Sequence, residues 1–93
     1  MKGKIMSPQE FIFRHNLINF LDDGVYTVKL NDKNIDDLIV EDENNNLKVN
    51  VNLKENYQDF LQSSKSESEY FISVYDSTEY QMNSLLEEAN LER

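Results

Sequence analysis

From Leu47 to Lys54 the chain alternates without exception, LKVNVNLK, apolar on every odd position and polar on every even one. A period of two is the mark of a strand with a dry face and a wet face, so Leu47, Val49, Val51 and Leu53 point one way and Lys48, Asn50, Asn52 and Lys54 the other. A strand wetted on one side belongs to an antiparallel sheet whose dry side must be covered by something else. Whatever the fold is, it contains such a sheet and a second layer.

The second layer is helical. In MSPQEF, Ser7 suits an N-cap, Pro8 the first helical position and Glu10 the third, where its carboxylate can return a bond to the Ser7 amide. Met6 and Phe11 stand where a hydrophobic staple would join them. Phe13, Leu17, Phe20 and Leu21, with Ile18 and Phe11, fall on one wide face, and Gly24 after Asp22 and Asp23 supplies a left-handed stop. A helix over about 8–22 follows, with that face buried.

Val25 to Leu30 alternates and is rich in β-formers, Asn31 to Asn34 is a turn by composition, and Ile35 to Val40 reads as a second strand. With the strand at Leu47 this makes a three-stranded antiparallel meander. Tyr57, Phe60 and Leu61 suggest a short helix near 55–62, and the serine-rich run Ser63 to Glu69 reads as a loop. Glu69 to Tyr75 has no decisive period and is open between strand and helix. Asp76 with Glu79 resembles a second N-cap, with Tyr75 and Tyr80 as its staple, opening a final helix to about 90 that buries Met82, Leu85, Leu86 and Ala89. The expected class is α+β: an N-terminal helix, a three-stranded antiparallel meander, then two C-terminal helices on one sheet face. Residues 1–93 make one domain, since a chain this short closes a single modest core.

Charge narrows the function. The formal net charge is −9, unevenly spread: residues 1–30 hold four basic and three acidic side chains, 31–54 three and six, 55–93 two and nine. Such a field repels nucleic acid and anionic membrane and attracts basic surfaces, so the expected partner is a basic protein, met as a monomer, with no direct nucleic-acid or membrane contact. There is no cysteine, no signal-like apolar run and no segment of membrane-spanning length, which points to the cytoplasm of the cell, with no disulfide or thiolate chemistry. The single histidine, His15, nominates no catalytic pair, and no acidic spacing has the geometry of a hydrolase or a calcium loop. No enzyme activity, cofactor or metal is expected.

Two regions are candidate contacts. Glu41, Asp42, Glu43, Asn44, Asn45 and Asn46 separate two strands, more polar residues than a tight hairpin needs, and carboxylates and amides on a rigid tip can offer arginine what phosphates and base edges offer it. Glu67, Glu69, Asp76 and Glu79 lie beside Tyr70, Tyr75 and Tyr80, and tyrosine is an efficient interface anchor.

The run YTVKL, Tyr26 to Leu30, preceded by an apolar helix ending in Asp-Asp-Gly and followed by Ile-Asp-Asp-Leu-Ile, resembles small acidic phage-encoded anti-CRISPR proteins of the type II-A class. The resemblance covers about Phe13 to Leu61. It implies an inhibitor that mimics DNA on the guide-RNA-loaded CRISPR effector nuclease in a bacterial host cell, its acidic turn between the second and third strands occupying the arginines that read the PAM. That turn corresponds to Glu41–Asn46, and a second acidic patch ahead of the last helix to Glu67, Glu69, Asp76 and Glu79. The chain departs from the family in having no glycine in the turn and in carrying Tyr-Phe-Ile-Ser-Val-Tyr where the family is more acidic. Two rival readings are an immunity protein or antitoxin that neutralises a basic nuclease toxin, and a self-associating phage protein.

Overall fold

The computed structural model describes residues 6–91. Six elements follow one another: α1 (Pro8–Leu21), β1 (Thr27–Leu30), β2 (Asp37–Asp42), β3 (Leu47–Asn52), α2 (Leu53–Gln62) and α3 (Glu67–Leu91). The strands form one antiparallel sheet in the order β1-β2-β3. Its dry face carries Leu38 and Val40 of β2 opposite Val51 and Val49 of β3, all buried, and the helices cover that face. The class expected from the sequence is the one observed.

α1 begins as its sequence dictates, with the Glu10 amide donating to Ser7 Oγ at 3.1 Å and Pro8 in the first turn. The Glu10 carboxylate, however, does not return to Ser7. It accepts from Arg14 Nε and Nη2 (3.1 and 2.7 Å), while Arg14 Nη1 reaches Asp36 Oδ1 at 2.9 Å. The ionic partner wins because Arg14 is buried and needs both carboxylates to compensate for lost water. The stripe Phe13, Leu17, Leu21 goes fully inside, whereas Phe11 stays 64 % exposed and Phe20 lies at the rim. Met6 and Phe11 line the same open hollow with Ile18, Leu30 and Ile35.

Phe13 is the hub of the core, with ring centroids 5.1 Å from Tyr57 and Phe60 and 5.4 Å from Phe71. Three helices thereby share one aromatic cluster, a contact set that adds tilted and stacked ring pairing to plain burial.

Strand boundaries depart from expectation where side chains capture backbone donors. Asp23 Oδ1 accepts from the amides of Val25 and Tyr26, so β1 starts at Thr27, two residues late, with Gly24 at φ +94° making the bend. Asn31 and Asn34 do the same to Lys33 and Asp36, which places Ile35 in the turn and starts β2 at Asp37 rather than Ile35. Asn52 ends β3 and also caps α2, its Oδ1 accepting from the Glu55 amide at 2.8 Å and its Nδ2 donating to Asp37. α2 therefore opens at Leu53, earlier than the expected 55.

The largest correction concerns the C-terminal third. Ser66 and Glu69 form a reciprocal capping box, amide of Glu69 to Ser66 Oγ and amide of Ser66 to Glu69 Oε1. The loop therefore shrinks to residues 63–66, and α3 runs unbroken through residues 69–75. Asp76 lies within a helix of 25 residues rather than at an N-cap, and Tyr80 is 73 % exposed instead of stapled. No glycine or proline interrupts Glu67–Leu91, and Tyr70, Phe71, Val74, Thr78 and Met82 supply a continuous buried stripe at helical spacing.

Candidate interaction surface

The acidic segment between β2 and β3 is not a free loop of six. Glu41 and Asp42 are the last residues of β2, opposite Lys48 and Leu47, and the turn proper is Glu43–Asn46. On the wet face Glu41 sits between Lys29 Nζ (2.9 Å) and Lys48 Nζ (3.5 Å). The hydrogen bond from Lys29 holds its carboxyl below the ordinary range. On the dry side Asp42 is buried and closes the turn: Oδ1 accepts from the amides of Asn44 and Asn45, Oδ2 from Asn45 Nδ2 at 2.9 Å. Asn46, at φ +55°, takes the left-handed position that a glycine would otherwise fill. Two of the three carboxylates are thus committed to the fold, and Glu43 with Asn44, Asn45 and Asn46 remains exposed at the tip.

The second group divides in the same way. Glu67 Oε1 accepts from Asn16 Nδ2 at 3.1 Å and ties α3 to α1. Glu69 is the capping residue, its carboxyl held down first by the Ser66 amide and then by the Ser66 hydroxyl. Asp76 and Glu79 are exposed, and among the described residues neither carboxylate takes a hydrogen bond from the protein.

What brings the two groups together is a pair of tyrosines. Tyr26 and Tyr75 lie with ring centroids 5.5 Å apart, and Tyr75 Oη donates to Asp23 Oδ2 at 2.5 Å. Burial raises the Tyr26 phenol pKa, and the fields of Glu79, Asp42 and Asp23 raise it further. Tyr75 is raised well above the ordinary tyrosine value by its bond to Asp23, then by burial. Burial alone would raise Asp23, but bonds from Tyr75 and from the Tyr26 and Val25 amides outweigh it and hold the carboxyl below 3.8. Carboxylates from the end of α1, the end of β2 and the middle of α3 therefore act on one phenol. Beside it Phe20, Ile72, Tyr75, Asp23 and Asp76 line an open hollow of about 410 Å³. Phe20 and Ile72 contribute apolar surface to it and the two aspartates contribute carboxylates.

Sequence reasoning missed Asp23, whose Asp-Asp-Gly context is a complete explanation as a helix stop; only the fold shows it beneath Tyr75. Among the described residues no group of three or more acidic or histidine side chains is arranged to hold a metal ion, and no helix is long and apolar enough to cross a membrane. Compared with protein-family models, with curated proteins and with solved structures, the chain finds no match.

Proposed function

We propose that this protein is a non-enzymatic inhibitor that lodges its acidic end in the nucleic-acid groove of a basic protein, with a guide-RNA-loaded type II CRISPR effector nuclease as the partner and its PAM-reading arginines as the site. The observation that carries this reading is geometric: Tyr26, next to the start of β1 where Thr27 pairs with Glu41 of β2, lies 5.5 Å from Tyr75, whose hydroxyl donates to Asp23 in the hollow that Asp76 also lines. An anionic pole assembled from three elements is held by the fold before any partner arrives, so little ordering cost is left for binding. Carboxylates present arginine with the paired acceptors that guanine does, and the flanking aromatic rings suit the guanidinium face.

The residues assigned to contact are the ones the fold leaves exposed: Glu43, Asn44, Asn45 and Asn46 at the tip, and Asp76 and Glu79 on α3. Glu41, Asp42, Glu67 and Glu69 act behind them as scaffold.

The test is cleavage of a PAM-bearing DNA duplex by the guide-loaded nuclease, with and without the protein. Inhibition is expected, weaker at high salt because the opposed fields are screened. Glu43→Lys, Asp76→Lys and Glu79→Lys combined should weaken it about tenfold or more while circular dichroism is unchanged. Undiminished inhibition by this variant, or none by the unaltered protein, contradicts the reading.

A further inference from the structure

The phase of the sheet hydrogen bonds decides which backbone groups of β3 are free. The Asn31 amide bonds the Asp37 carbonyl, so Asp37, Ile39 and Glu41 turn their backbone groups toward β1. Leu38, Val40 and Asp42 then face β3 and pair with Val51, Val49 and Leu47, in phase with the bond from the Leu53 amide to the Asp36 carbonyl. Lys48, Asn50 and Asn52 consequently point out of the sheet. The Asn52 carbonyl is taken by Asn56 Nδ2 at 2.6 Å, which leaves both groups of Lys48 and Asn50 and the Asn52 amide. Among the described residues no side chain bonds these groups.

This edge is not guarded. β3 keeps regular register along its whole length, with no proline, and the Lys48 ammonium is turned toward Glu41. Beside the edge lies a groove of about 490 Å³, walled on the far side by Tyr70, Ser73, Ser77 and Gln81 of α3. The wall leaves room because its groups are short or already engaged. Ser73 Oγ donates to the Tyr70 carbonyl, and Tyr70 Oη lies 2.9 Å from both Asn56 Oδ1 and Asp59 Oδ2.

We propose that the free edge of β3 is a strand-addition site that takes an extended, basic segment of a partner polypeptide as a fourth strand, its alternate lysine or arginine side chains entering the groove beside α3. Main-chain bonds to Lys48, Asn50 and Asn52 supply the pairing, and the groove supplies selectivity. The occupant is basic because the groove offers the exposed carboxylates of Glu55 and Asp59 against one cation, Lys65, in a chain of net charge −9. A second copy would bring the same −9 and the same two acids. This mode of contact is independent of the tip and of α3's outer face.

The probe is an acetylated and amidated heptapeptide of alternating lysine and threonine, added to the ¹⁵N-labelled full chain. Amide exchange at Lys48 and Asn50 should slow about tenfold or more at saturation. The glutamate–threonine counterpart should leave both unchanged. Asn50→Pro should fold, because the Asn50 amide serves no bond within the sheet, and should abolish binding. The exchange measurement on the unaltered chain decides the matter without the variant. Absence of protection at both amides, protection by the acidic peptide as well, or self-association through β3 in sedimentation overturns the proposal.

Discussion

Asp42 and Glu43 are neighbouring acids in one run, Glu-Asp-Glu, and the fold gives them opposite work. Asp42 is buried and receives three hydrogen bonds from the turn, whereas Glu43 is exposed. Asp42→Ala should cost about 2 kcal/mol in urea unfolding, since it leaves the turn amides without their acceptor, while Glu43→Ala should stay within about 0.5 kcal/mol. Partner binding should sort them the other way, falling for Glu43→Ala in a folded background. Asp23 is tested by pH. Its folded pKa lies below the unfolded value, so its contribution is present above about pH 4 and is lost as pH falls through the folded value. Tyr75 is raised, so its contribution holds below the ordinary tyrosine value near 10 and is lost above it. Tyr75→Phe should move the Asp23 carboxyl upward in an NMR titration; an unmoved Asp23 would remove the tyrosine from the account.

At the scale of elements, the chain is most legible where the signal is local. Ser7, Pro8 and Glu10 place the start of α1 correctly because every group involved lies within one helical turn. The alternation of β3 is equally plain, and its two faces are as expected. The edges of β1 and β2 were not legible, because Asp23, Asn31 and Asn34 divert amides that composition alone assigns to strands. The start of α3 was hidden differently: Ser66 and Glu69 form a capping box inside a serine-rich run whose composition reads as loop. Ser66→Ala should therefore cost about 1 kcal/mol, seen as a lower thermal midpoint. Phe13→Ala should cost about 4 kcal/mol, because it empties the centre of the aromatic cluster shared by α1, α2 and α3. Loss of less than half that amount would mean that the cluster closes over the gap.

For the whole molecule, the question is how acidity becomes a surface. α3 carries six acidic and no basic residues over 25 positions, a span of about 37 Å at helical rise. Its buried stripe fixes which of those acids face water, so that Asp76 and Glu79 stay outside while Glu67 turns toward Asn16. That division, and the meeting of three elements at Tyr26, depend on tertiary packing and have no local trace in the chain. The claim that most needs testing is that the anionic pole and a DNA duplex compete for one groove. It can be measured directly by adding a labelled PAM-bearing duplex to a preformed complex of the protein with the guide-loaded nuclease and reading fluorescence anisotropy. Mutual exclusion is expected, with the apparent duplex affinity falling in proportion to the concentration of the protein. A ternary complex in which the duplex binds with undiminished affinity would contradict it.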